Sequence, residues 1–503
     1  MRVWWQNLPL ALILLPLMGA AACSALKGKA ARAVMTAVTA LGCAGMGLLT
    51  YFTLQSGESF VYAMGEIGAP FGNELRVGAA ESLMGLTFSL VMLLSILGGW
   101  RTLTRDVTEN RMNLYGAMIC LLYSAMAAMV FTNDLFTAYV FIEISTIAAC
   151  ALICSNNQGP TIFAATRYMM MNLLGSGLFL LGLSMLYCLT GHLLFPQLME
   201  SVQALLASGE YLTPLYLSFL LMTLGIAVKS ALYPFHTWLP SAYSLSTPTS
   251  SAILSSLISK IYIFLLVKIY FRAAGASVFA RRIEDVLLAY AVVGIIMGSV
   301  DAIREKHMSR MVAYSSVALI GYIFLGIALG TEMGMAAALF HILAHSAAKS
   351  MLFLSTGKLR AVSGGGDSFA NVKGAAKRAP LAGLAFLVGA CSLVGIPPLG
   401  GFAGKLYLTQ AGVALGGWRM ILALAALIVS TALNVAYLLR TALTLYQFGE
   451  ELPGNEVSQE KHSSAPDWTF AVSMIVLILM NLLIGVMGGW IMAWIRQGIS
   501  MFV

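Results

Sequence analysis

The chain has 503 residues, of which 59% are hydrophobic and only 10% charged, with a mean hydropathy of +0.85. Soluble domains carry roughly 25% charged residues, so the composition excludes a soluble enzyme and predicts an all-α polytopic membrane protein embedded in a lipid bilayer. The net charge of +8 gathers in loops on one side, as set out below, and calls for no nucleic-acid partner.

Apolar windows long enough to span (~20 residues) run at 3–23, 31–54, 78–100, 112–131, 134–155, 162–189, 212–232, 243–271, 284–303, 309–330, 333–357, 380–412, 418–446 and 468–495. They predict about fourteen transmembrane helices. The first could be misread as a cleaved signal peptide ending at Cys23, but Trp4 and Trp5 suit an interfacial belt and a retained helix. The fifth carries Glu143 as a lone acid in "NDLFTAYVFIEISTIAACAL", with Asp134 at its outer start. The seventh carries Lys229 and is interrupted at Pro234 and "FHTWLP". Glu143 and Lys229 are each tolerable in an apolar run if paired, and pairing tunes proton affinity; a static bridge locking two helices is the other reading.

In the eighth helix Ser250, Ser251, Ser255, Ser256 and Ser259 run up to Lys260. The hydroxyls can hold a water file with Lys260 as a relay, or simply let helices pack closely. Lys268 lies two turns further along, near Arg272, where snorkelling to the interface is expected. Asp301, near the inner end of the ninth helix beside Arg304, Lys306 and His307, is placed at an interface rather than in a path. In the eleventh helix His341, His345 and Lys349 are spaced by four and stack along one face. Histidine suits a proton relay; packed core histidines are the alternative, and a metal site lacks a third ligand. The twelfth helix is broken at "GIPPLGGFAG", where Pro397 and Pro398 interrupt the backbone ladder, and Lys405 follows as a relay or a helix-capping cation. Unpaired backbone at membrane depth is tolerated only inside protein or beside a watery cavity, so both breaks point to hydrated sites. A lysine at mid-bilayer costs at least ~2.5–3.5 kcal/mol and by default marks an ion or proton path.

With the N-terminus outside, seventeen loop Lys and Arg residues fall on the cytoplasmic side and seven opposite. This positive-inside bias predicts a multi-pass protein of the cell (inner) membrane with both termini on the outer, periplasmic side. The longest internal loop, 447–467, carries Glu450, Glu451, Glu456 and Glu460 and no folded-domain pattern. The seven cysteines lie in apolar stretches without a CxxC pair or a Cys/His cluster. No metal, cofactor or redox centre is expected, so any enzymatic activity would belong to partner chains.

Four stretches carry a family resemblance: "AVKSALYPFHTWLPSAYSLSTPTSSAILSSLISK", "KHMSRMVAYSSVALIGYIFLG", "FHILAHSAAKSMLFLSTGKL" and "LVGIPPLGGFAGKLYL". They are similar to the antiporter-like membrane subunits of respiratory complex I, of multisubunit sodium/proton antiporters and of membrane-bound group 4 nickel–iron hydrogenases. The resemblance covers roughly residues 110–440. It implies an N-terminal three-helix segment (1–111), two inverted five-helix repeats (112–272 and 273–446) and a C-terminal portion (447–503) with the acidic loop and helix fourteen. By motif position it implies a proton relay of Glu143, Lys229, Lys260, His341, His345, Lys349 and Lys405, with Glu143 pairing with Lys229. Ser241 in "WLPSA" departs from the usual "WLPDA", and the chain stops too soon after helix fourteen for the lateral extension of the longest relatives. The implied function is proton translocation beside other membrane subunits of a complex I-like, hydrogenase or antiporter assembly. Sodium/proton exchange, a quinone-associated role and a scaffold are the alternatives.

Overall fold

The computed structural model describes residues 4–67, 72–274, 280–447 and 467–502. Arg2, Lys461 and the four glutamates of the acidic loop therefore lie outside the described residues. Fourteen helical spans follow one another: α1 (Trp4–Ala25), α2 (Gly28–Ser56), α3 (Ala79–Gly98), α4 (Glu109–Phe131), α5 (Leu135–Ile153), α6 (Gly159–Thr190), α7 (Leu212–Lys229), α8 (Pro248–Ala274), α9 (Ile283–Arg304), α10 (Met308–Ala328), α11 (Glu332–Ala361), α12 in two halves (Pro380–Val394 and Gly400–Leu415), α13 (Gly417–Tyr446) and α14 (Trp468–Val486). Among the described residues, thirteen of these, all but α12, are long and apolar enough to cross a membrane. Helices prevail because lipid offers no partner for a free peptide group. The protein is a multi-pass membrane protein.

Two helices that carry lysines in their interiors, α8 and α11, sit in the middle. α8 and α11 are buried along the whole of their apolar windows, whereas most of α6 and α14 faces outward. Their first turns and middles pack on each other, and Ser346 Oγ of α11 donates to the Ser256 carbonyl of α8 at 2.8 Å. Centre and rim thus follow from chemistry: groups that lipid would penalise are covered by apolar neighbours.

Several boundaries differ from the sequence expectation. α7 stops at Lys229 itself, a 3-10 turn (Phe235–Trp238) and a short helix (Leu239–Leu245) follow, and α8 starts only at Pro248. Residues 243–245, expected in the eighth helix, therefore belong to the broken seventh. α8 contains two wider π turns, Leu254–Ile258 and Tyr270–Ala274. The last helix ends at Val486, and a separate amphipathic helix, Gly488–Ser500, lays Met492, Ile495 and Ile499 inward against α3 and α11. Elements not expected include a hairpin pairing Phe60–Ala63 with Glu74–Val77 in antiparallel register, a short helix, Trp100–Asp106, and an amphipathic helix, Phe195–Ser208, that buries Phe195, Leu198 and Val202.

Among the described residues, the connections after α1, α3, α5, α7, α9 and α11 share one end of the bundle. It is the end with most of the loop lysines and arginines, and is called the basic face below.

Candidate functional site

Lys229 is the last residue of α7 and is fully buried. Its ammonium donates to Thr146 Oγ1 on α5 at 2.8 Å and lies 5.5 Å from the centre of the Tyr262 ring. Glu143 stands one turn before Thr146 but makes no ion pair with Lys229, although its charge acts on that ammonium. Its Oε1 is buried without a hydrogen-bond partner. The reason lies in helix geometry. Phe136, Val140 and Ile147 are exposed on α5, and Glu143 falls on the same stripe at i+7, i+3 and i−4 from them. The expected direct pair is thus replaced by a threonine-held lysine and a nearby carboxylate at the rim.

Lys260 is likewise fully buried and hydrogen-bonds to the carbonyl of Ser255, five residues back in the π turn. Such turns recur at functional sites because they break the regular ladder. The way from Lys229 to Lys260 is polar: Ser230 Oγ reaches the Ser259 carbonyl at 3.5 Å, and Ser259 Oγ lies 3.4 Å from the Tyr243 hydroxyl.

On α11, Lys349 donates to the Val312 carbonyl at 2.8 Å and to Ser315 Oγ at 2.6 Å, both on α10. A charge on Lys260 acts on Lys349, His345 and His341 alike. The two imidazoles are buried, 6.3 Å apart between ring centres, and none of their four nitrogens has a hydrogen-bond partner among the described residues. Tyr322 continues the row: its ring centre is 5.5 Å from His341 and 5.3 Å from the Lys405 ammonium. Lys405 donates to the Val394 carbonyl at 2.7 Å and to Thr431 Oγ1 at 3.1 Å. Val394 ends the first half of α12, so the lysine charge meets the negative end of that half-helix. Gly404 makes room for this arrangement, since a Cβ there would lie 2.7 Å from His341 Nδ1.

The structure thus brings Lys229, Lys260, Lys349, His345, His341 and Lys405 into one interior row, with Glu143 beside its start. The lysine acceptors Thr146, Ser315 and Thr431, and the bridging Tyr322, were not singled out from sequence. Their only signal is a hydroxyl set among apolar neighbours.

Lys268 corrects an expectation. It does not snorkel: it is fully buried and donates to the carbonyls of Val130 at 2.7 Å and Thr132 at 2.9 Å, at the end of α4. Arg272 and Arg76, read from sequence as loop charges, are buried too. Arg272 hydrogen-bonds Asn133 Oδ1, and Arg76 forms a buried ion pair with Glu81 at 3.1 Å. Asp134 is also buried and caps α5, accepting from the Thr137 amide at 2.5 Å. Asp301 keeps a partly exposed side chain, 3.9 Å from His236 Nε2.

Residues 132–433, which contain all seven predicted relay residues, match a family model described as NADH:quinone oxidoreductase/Mrp antiporter, transmembrane. NADH-quinone oxidoreductase subunit N of Desulforudis audaxviator (strain MP104C) is 32% identical over 409 residues, 80% of this chain and 78% of the relative. A Na(+)/H(+) antiporter subunit from Bacillus subtilis (strain 168) is 26% identical over 470 residues, 93% of this chain and 90% of the relative. Among solved structures, a chain of the membrane-bound sulfane sulfur reductase, an archaeal respiratory membrane complex, superposes with a TM-score of 0.86 at 26% identity, covering 99% of this chain and 98% of the other. A chain of the Mrp complex from Dietzia sp. DQ12-45-1b shares the fold, with a TM-score of 0.86 at 23% identity over 99% and 97% of the two chains. The chain belongs to the NADH:quinone oxidoreductase/Mrp antiporter transmembrane family.

Proposed function

We propose that this chain carries protons across the membrane along the row Lys229, Lys260, Lys349/His345/His341 and Lys405. It is an antiporter-like subunit that works beside other membrane subunits in an assembly of the complex I or Mrp type. One observation carries the proton reading. Each of the four lysines is held by hydroxyl or carbonyl oxygens, and none by a carboxylate. A buried charge kept for structure is normally paired. Lys268 is also held by carbonyls, but it lies outside the row that these four share with His341 and His345. An ammonium held only by neutral acceptors can pass its proton on without breaking an ion pair. The partnerless imidazole nitrogens lie where a relay needs groups that accept and donate in turn.

The family includes sodium/proton antiporter subunits, but this row presents N–H donors, and sodium requires oxygen ligands. The donor set therefore favours the proton. Glu143 acts as the electrostatic control of Lys229. A carboxylate on an exposed apolar stripe of α5 is costly against lipid, which supports cover by a neighbouring subunit.

The repeat reading assigns α4–α8 and α9–α13 to two five-helix sets. It is supported by the breaks in α7 and α12, each the fourth helix of its set and each beside a relay lysine. The positive-inside bias orients the basic face to the cytoplasm of an inner membrane, with both termini opposite.

The test is proton flux across vesicles that hold the complete complex, followed with a pH-sensitive dye. Lys229→Ala should bring flux to background while the complex still assembles. Flux at the wild-type rate overturns the relay.

A further inference from the structure

The polar track of α8 meets the basic face at a cavity of about 430 Å³. Arg105, Asp106, Gln158, Ser244, Thr247 and Arg360 line it, together with neighbours that include no second acid. At its floor Thr247 Oγ1 donates to Ser250 Oγ at 2.9 Å, and the Tyr115 hydroxyl is 3.1 Å from that same oxygen. Ser251, the next residue, reaches the Tyr243 carbonyl at 2.6 Å, and the Tyr243 hydroxyl leads on to Ser259, beside Lys260. Ser244 Oγ, at the cavity wall, is buried without a hydrogen-bond partner, as are Thr249 Oγ1 and Ser256 Oγ further along. Two hydrogen-bonded groups of hydroxyls, Tyr115/Thr247/Ser250 at the cavity and Tyr243/Ser259 next to Lys260, thus mark a polar way from the cavity toward Lys260.

Asp106 ends a short helix, Trp100–Asp106, that follows α3. Arg105 on its own helix, Arg360 of α11 and Tyr115 of α4 are the charged and titratable groups that act on it. We propose that Asp106 is the proton-collecting carboxyl of this subunit, loading the α8 track from the basic face. The proposal rests on the proton reading above. In the step, the Asp106 O–H bond breaks and its proton enters the polar way at Thr247 and Ser250. A proton arrives on the neutral amine of Lys260, and the Asp106 carboxylate is reprotonated from bulk water. Arg105 and Arg360 repel metal cations from the same opening. Burial holds the Asp106 carboxyl above the ordinary carboxylate range, while Arg105 and Arg360 pull it back. Its protonated fraction falls as pH rises through that raised value, so uptake through this port declines in the same direction.

A second opening on this face, lined by Asp301, Arg304, Glu305, Lys306, His307 and Arg310, provides the comparison. Vesicles holding the complete complex with Asp106→Asn should take up protons several-fold more slowly. Azide, a small weak acid that ferries protons, should restore the rate, and Asp106→Glu should keep most of it. Asp301→Asn should match wild type. Wild-type uptake in Asp106→Asn, or a loss that azide leaves unmoved, overturns the proposal, as does an azide-rescued loss in Asp301→Asn alone. If Lys229→Ala stops flux while Asp106→Asn does not, only the port is refuted. If Lys229→Ala also leaves flux intact, the relay itself falls.

Discussion

Lys260 and Lys268 lie two turns apart on α8 and are equally buried, yet they are held in opposite ways. Lys268 ties α8 to the end of α4 through two carbonyls, and close by Arg272 holds Asn133 and Arg76 is locked to Glu81. Lys260 bonds only within its own helix, and its charge acts on other titratable groups. Burial alone therefore does not mark a transport residue. The surroundings do. Lys268 joins two helices beside Arg272 and Arg76 and outside the titratable row, and is a bolt. Lys260 stands in that row and has an acceptor that moves with it, so it can change its proton without unfastening anything.

Three substitutions press on this contrast. The largest effect belongs to Lys260→Met, which removes the titratable group but keeps the stem. Flux should fall roughly a hundredfold, the scale of a lost acid–base group, with the melting temperature of the purified complex unchanged. Lys268→Met should do the reverse. It strands two buried carbonyls and costs about 2 kcal/mol, seen as a lower melting temperature, while flux per assembled complex stays at the wild-type level. If Lys268→Met instead reduces flux with stability intact, the two lysines are alike and the distinction fails. The smallest effect is expected from Gly404→Ala, whose new methyl must push His341 aside. An off-rotamer side chain costs about 1 kcal/mol, a slowing of about fivefold in flux; an unchanged rate would remove His341 from the path.

The spans, both breaks and the row of lysines can be read from sequence, because a charge or a Pro-Pro pair stands out against an apolar background. What cannot be read depends on residues far apart in the chain. Lys268 looks like a snorkelling cation because Arg272 is near it in sequence, whereas the α4 carbonyls that hold it are not. Arg76 counts as a loop charge although Glu81 is only five residues on, because the hairpin that buries it is closed by Phe60–Ala63, further back in the chain. Glu143 and Lys229 match as opposite charges, but the rotation of α5 turns Thr146, not Glu143, toward the lysine. The helix Phe195–Ser208 is too polar for a span and escapes a search for spans, although Phe195, Leu198 and Val202 repeat at helical spacing.

The central position of α8 also bears on how the protein is made. α8 leaves the ribosome with Lys260, Lys268 and Arg272 before α11, which covers its first turns, exists. At about 5–20 residues per second, the delay is on the order of ten seconds. During that interval its cations need shelter from lipid, and only α1–α7 are there to give it. The carbonyls of Val130 and Thr132 and the side chain of Asn133 are already in place by then. The bolt at one end of α8 would therefore close during synthesis, whereas the segment around Lys260 has to wait in an insertion chaperone or a half-built groove for α11 to be translated.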